Sequence, residues 1–224
     1  MHTSLEKLNF VKKQVNEIII QKQLKTKPKI IVVTKTFTIS KIEPLLNYGH
    51  ADFGENKLQE AENKWSKIKS NYPDLKLHMI GKLQSNKAKK AVELFDYIHS
   101  LDSPKLALKI SKYEKELNKR VKLFIQVNLA GENQKAGILQ SDLSNFYNYC
   151  KKELNLNVIG LMCLPPIDSD SAVYFQKLKL EADKFKLNDL SMGMSSDFKE
   201  AIKNAATYLR LGTAILGERT SIPE

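Results

Sequence analysis

Cysteine is scarce in this 224-residue chain: Cys150 and Cys163 are the only two, and neither has a neighbouring Cys or His at metal-ligand spacing. That argues against a disulfide framework and a zinc site, and leaves two buried thiols as the reading. Long apolar runs are missing too. Aliphatic stretches such as Ile30-Ile31-Val32-Val33 fall far short of the ~20 residues that a membrane-spanning helix needs. Residues Met1 to Lys7 carry no basic patch followed by an apolar core, so no secretory leader is expected, and cytoplasmic residence is the natural expectation. No Pro-, Gly- or Ser-rich linker interrupts the chain, which points to a single domain over residues 1–224.

Arginine is the third scarcity. Lys and Arg number 36 against 25 Asp and Glu, a net charge of +11, yet only Arg120, Arg210 and Arg219 are arginines, which leaves 33 lysines. Base-edge readout favours the planar guanidinium fork, whereas dispersed lysines give salt-sensitive, nonspecific phosphate attraction, so no specific nucleic-acid partner is expected. Arg210 and Arg219 both lie in the last fifteen residues, which points to a structure there that uses a guanidinium lysine cannot replace.

What is present is alternation. Short β-rich runs occur at Lys29–Thr34, Ala51–Phe53, Leu77–Gly81, Tyr97–Ser100, Leu123–Leu129, Val158–Leu164, Leu190–Met194 and Tyr208–Gly212. Helix-period segments lie between them at Glu55–Ile68, Ser85–Leu94, Ser103–Leu117, Ser141–Leu154, Ser171–Lys186 and Ser196–Ala205, several opened by a serine cap. A leading helix is expected over Leu5–Leu24. Eight strands of this spacing predict an α/β fold, a (β/α)8 TIM-type barrel with an extra N-terminal helix.

In such a barrel the chemistry collects where each strand stops. Lys35 follows Ile30-Ile31-Val32-Val33-Thr34, so its amine should emerge at the apolar mouth. A desolvated lysine is the form that condenses with an aldehyde, of which pyridoxal phosphate is the commonest cofactor, although a snorkelling lysine at a strand end is the plainer alternative. Ser195 and Ser196 follow strand seven, and Gly212-Thr213 follow strand eight; loops there form the usual phosphate cup of this fold, or else a helix cap and a turn. Arg210 should point inward from the last strand, toward a pyridine nitrogen or into a salt bridge with Glu55 or Glu218.

Several segments together carry a family resemblance. Thr34-Lys35, Phe53-Gly54-Glu55-Asn56 with Gln59-Glu60, His78 to Lys87, Gln126-Val127-Asn128, Gly160-Leu161-Met162, Leu190 to Phe198 and Arg210 to Arg219 stand in order at the strand ends. In these segments the chain resembles the pyridoxal phosphate homeostasis proteins, whose fold is the N-terminal barrel of alanine racemase. The resemblance implies that pyridoxal 5′-phosphate is held as a Schiff base on Lys35. It further implies that Ser195, Gly212 and Thr213 hold the phosphate, that Arg210 faces the pyridine nitrogen, and that Asn56 lies beside the phenolic oxygen. Leu77 and Lys82 depart from the tryptophan and histidine frequent at those places, while Glu132 and Lys135 fit a segment with a solvated role at the rim.

Racemisation needs a base on each face of the substrate Cα, and in alanine racemase the second base is a tyrosine beside an additional domain. The tyrosines here fall mostly in helices or ahead of strands. The expectation is therefore a non-catalytic carrier that buffers the cofactor and passes it to apo-enzymes, with a low-specificity amino-acid racemase as the alternative. Lysine-rich outer helices without a leftover apolar stripe point to a monomer.

Overall fold

The computed structural model describes residues 3–132 and 136–218, so Lys135 and Arg219 lie outside the described residues. The strands are β1 (Lys29–Val33), β2 (Asp52–Glu55), β3 (Lys76–Met79), β4 (Tyr97–Leu101), β5 (Lys122–Asn128), β6 (Ile138–Leu139), β7 (Val158–Met162), β8 (Asp189–Ser191) and β9 (Tyr208–Leu211). They pair in the order β4-β3-β2-β1-β9-β8-β7-β5, every pair is parallel, and β4 also pairs with β5, closing an eight-stranded barrel. The two-residue β6 is an addition to the expected set and pairs with β5 outside the ring, Val127 opposite Ile138.

The first helix, α1 (Thr3–Gln21), precedes the barrel and buries Ser4, Leu8, Val11 and Val15, a helical spacing, against α2, α8 and α9. It stops three residues before the expected Leu24. Gln23 turns to φ 51°, and Leu24 N–H donates to the Ile19 carbonyl at 3.0 Å, closing the end. The remaining helices follow the strands one by one. They are α2 (Ile39–Asn47), α3 (Leu58–Trp65), α4 (Ala88–Leu94), α5 (Pro104–Glu116), α6 (Leu143–Asn148), α7 (Ser171–Lys184), α8 (Phe198–Lys203) and α9 (Thr213–Leu216). Ser103 caps α5 as its position predicts, whereas α7 is capped by Asp170 and α8 begins after Asp197, so Ser171 and Ser196 are not the caps.

Two apolar layers hold this arrangement. The larger fills the space between strands and helices, with Trp65, Phe53, Phe95 and Phe175 fully buried in it. The smaller sits inside the barrel, where Ile31, Tyr97, Phe124, Met162 and Tyr208 converge. Side chains alternate between faces along a strand, so residues two apart from these also point inward: Val33 above Ile31, His99 above Tyr97, Arg210 above Tyr208. Lys35 continues the inward register of β1 just past its end.

Candidate functional site

At the carboxyl ends of the strands lies a cavity of about 530 Å³ with apolar walls from Val33, Ile80, Leu164 and Met194. Its polar lining is Lys35, Asn56, Ser195, Ser196, Arg210 and Thr213, with backbone at Gly81 and Gly212. The structure thus brings together the six residues that the resemblance assigns to the cofactor, Lys35, Asn56, Ser195, Arg210, Gly212 and Thr213, and Ser196 with them.

Lys35 sits on a braced turn. The carbonyl of Thr34 accepts from Lys64 Nζ at 2.7 Å, and the Thr34 hydroxyl donates to Glu55 Oε1 at 2.6 Å. On its other side, Thr36 N–H donates to Glu60 Oε1 at 2.5 Å. Thr36 holds φ at 67°, a left-handed conformation uncommon for a β-branched residue, and the brace from α3 keeps it there. Lys64 itself is only 8% exposed and donates also to Glu55 Oε1 at 2.8 Å and Glu60 Oε1 at 3.0 Å, so its ammonium has three acceptors. Sequence reasoning assigned no role to Lys64; the signal available was its spacing of four from Glu60 on one helix face.

Arg210 is almost fully buried beneath the cavity. Nη1 donates to Ser191 Oγ at 2.7 Å and Nη2 to the Cys163 carbonyl at 2.9 Å. Burial pushes its pKa down from the ordinary value. Among the described residues no carboxylate lies within ion-pair distance of it. Glu55 is instead committed to Thr34, Lys64 and Trp65, so the salt-bridge alternative with Glu55 does not hold. The guanidinium is held by two neutral oxygen acceptors and keeps its positive charge at the floor of the cavity.

The rim opposite Lys35 is built from the turns after β8 and β9. Ser195 Oγ accepts from Ala214 N–H at 3.2 Å, tying the two turns together, and Asp197 accepts from Met194 N–H at 2.6 Å. Gly193 adopts φ 90° with Ala201 Cβ only 2.6 Å from where a side chain would begin, so this turn admits only glycine. At Gly212 a Cβ would meet Val33 at 3.6 Å, ordinary contact, so the missing side chain leaves room in the cavity. Asn56 is set by Gly81, whose backbone approaches so closely that a Cβ would lie 2.2 Å from the Asn56 carbonyl. The side-chain Oδ1 of Asn56 is buried without a protein partner while its residue lines the cavity.

An amine, a guanidinium, hydroxyls on a small-residue rim and one orphaned amide oxygen suit a small anion with a carbonyl at one end. Cys150 and Cys163 are free and buried, and burial pushes both thiols up to about 12, which makes them inert. Glu132 is partly buried in the loop after β5, where its carbonyl accepts from Asn128 Nδ2 at 2.8 Å.

A closed parallel barrel with its polar cavity at the strand ends is that of the alanine racemase N-terminal domain family, which matches residues 14–220. Alanine racemase from Corynebacterium glutamicum shares this fold, with a TM-score of 0.66 at 16% identity over 94% of this chain and 62% of that one. More similar relatives bear another name. The pyridoxal phosphate homeostasis proteins of Synechocystis and Aquifex aeolicus are 38% and 37% identical over 85% of this chain, and over 91% and 87% of theirs. PipY of Synechococcus elongatus, solved with PLP bound, has a TM-score of 0.81 at 34% identity, covering 92% of this chain and 100% of that one. The chain belongs to the family of pyridoxal phosphate homeostasis proteins. Among the described residues no helix is long and apolar enough to cross a membrane, and no cluster of metal-ligating side chains occurs.

Proposed function

We propose that this chain binds pyridoxal 5′-phosphate in the cavity at the mouth of the barrel and serves vitamin B6 homeostasis by buffering and delivering it. The observation that carries the reading is the meeting of Lys35, Asn56, Ser195, Arg210, Gly212 and Thr213 in one cavity. Lys35 supplies the amine that holds the aldehyde. Ser195, Gly212 and Thr213 take the phosphate, and Asn56, with its buried, unpartnered oxygen, stands beside the ring. Arg210 offers hydrogen-bond donors to the ring nitrogen, and a permanent donor leaves that nitrogen unprotonated. When bound, the cofactor supplies an electron sink, and an unprotonated ring makes that sink weak.

The same geometry supports a carrier over a racemase. Among the described residues lining the cavity, Lys35 and Arg210 are the ionisable ones, and no tyrosine is among them, so a second base is wanting. In this reading the barrel is the chain's one domain. It acts as a monomer in the cytoplasm, its partners are apo-enzymes that need the cofactor, and it uses neither nucleic acid nor membrane.

The test is an absorption spectrum of purified protein with added cofactor, before and after borohydride, for wild type and Lys35→Ala. A visible band that borohydride removes and the variant lacks is the expected result; its absence from wild type sinks cofactor binding at Lys35. Turnover of an amino acid well above the rate of free cofactor, with exchange of the α-proton for solvent deuterium, overturns the carrier role in favour of racemisation.

A further inference from the structure

A continuous hydrogen-bonded chain of side chains runs through the barrel interior from the end opposite the cavity. Asp52, the first residue of β2, bonds His78 Nε2 through Oδ1 at 2.9 Å. His78 Nδ1 meets His99 Nε2 at 2.9 Å, and His99 Nδ1 meets Ser191 Oγ at 2.8 Å. Ser191 Oγ then receives Arg210 Nη1 at 2.7 Å. His78, His99 and Ser191 are wholly buried, and the rings of Tyr97 and Phe124 stack on His78 and His99 with centroids 4.3 Å away.

The direction of every bond follows from the ends. Burial pushes both imidazoles below their ordinary pKa, so each is neutral with one donor and one acceptor. The Asp52 carboxylate can only accept, so His78 carries its proton on Nε2 and accepts at Nδ1. His99 must then donate from Nε2 and accept at Nδ1, to which the Ser191 hydroxyl donates. With its proton committed, the Ser191 oxygen has only lone pairs left for Arg210, which can only donate. Each group is satisfied by this one arrangement.

We propose that Asp52 is a positioning residue for Arg210, acting across the barrel through His78, His99 and Ser191. Its carboxylate sets the sense of the chain, the chain makes Ser191 an acceptor toward Arg210, and the guanidinium is held fixed with its remaining donors toward the cavity. This rests on the function proposed above only for the identity of the ligand that Arg210 meets.

Nitrogen-15 NMR of the cofactor-free protein tests it directly. Wild type should show both His78 and His99 protonated at Nε2 and unprotonated at Nδ1, with slowed rotation of the Arg210 guanidinium. A proton on Nδ1 of either ring, or a freely averaging guanidinium, overturns the proposal without any variant. Asp52→Ala should scramble both tautomers, free the guanidinium, and weaken cofactor binding by about tenfold although Asp52 does not line the cavity. Asp52→Asn, which keeps an acceptor oxygen, should restore the wild-type pattern; unchanged tautomers and affinity in a folded Asp52→Ala protein refute the coupling. Wild type that shows the tautomers but binds no pyridoxal phosphate refutes the ligand and leaves the relay standing.

Discussion

Lys64→Met isolates the brace beneath Lys35. The substitution keeps the bulk of the side chain and removes an ammonium that is 8% exposed and contacts a carboxylate that is 0% exposed. Glu55 Oε1 then keeps only the Thr34 hydroxyl at 2.6 Å and the Trp65 N–H at 2.9 Å, and Oε2 already lacks a partner. Stranding a buried charge in this way costs about 3–5 kcal/mol, against ~0–1 for an exposed pair. At roughly 2–4 °C per kcal/mol for a domain of this size, the melting temperature should drop by about 6–20 °C. Urea unfolding followed by fluorescence reads this locally, because the chain's one tryptophan, Trp65, donates to the same carboxylate. Adding Glu55→Gln to Lys64→Met removes the stranded charge and should return most of the loss. A Lys64→Met protein within ~0.5 kcal/mol of wild type, the range of an ordinary surface substitution, or a double variant no better than the single, refutes the reasoning.

Gly212→Ala should fold normally, since its Cβ meets Val33 at ordinary contact, yet lose tenfold or more (about 1.4 kcal/mol) in affinity for pyridoxal phosphate, read by equilibrium dialysis. Gly81→Ala should behave oppositely: a Cβ 2.2 Å from the Asn56 carbonyl forces backbone movement, and a loss of about 2 kcal/mol or more in urea melts checks it. Acid should destabilise the protein early. Burial holds His50 down to about 4 and lowers His78 and His99, so below the ordinary histidine value near 6.5 the unfolded chain takes up protons that the folded chain refuses. Stability is therefore full above that value and falls as pH drops toward 4, with His50 contributing up to about 3 kcal/mol; unfolding free energies that stay level between pH 7 and 5 contradict this.

The barrel and its mouth were legible because both are written locally. Apolar runs of strand length mark β1, β5 and β7, and the residues just after each run are by construction at the rim. Lys35 could be found that way, whereas Asn56, past a β2 whose end the pattern did not mark, rested on the family resemblance. What the pattern hid was α2, which carries Pro44 inside it and was not among the expected helices, and β6, too short to show a period. It also hid the extent of β2: Glu55 was expected to open a helix over Glu55–Ile68, but it continues the strand, buried by Thr34 just after β1 and by Lys64 and Trp65 of α3, and the helix starts only at Leu58. The interior chain was out of reach for a different reason. His78 and His99 are 21 residues apart and Ser191 is a further 92 away, and only strand order brings them together. A spacing rule along one element cannot see a line drawn across five.

The cavity draws Lys35 from the turn after β1 and Arg210, Gly212 and Thr213 from β9 and its following turn, and these two strands pair directly, Ile31 beside Arg210. A ribosome releases β1 early and β9 only after the seven intervening strands. The growing chain thus has no complete cavity until β9 docks against β1, and under the proposed function a ligand added during synthesis can reward only the finished barrel. Occupancy then becomes a report on completed folding: ligand stabilises the closed ring by mass action and gives nothing to any shorter intermediate.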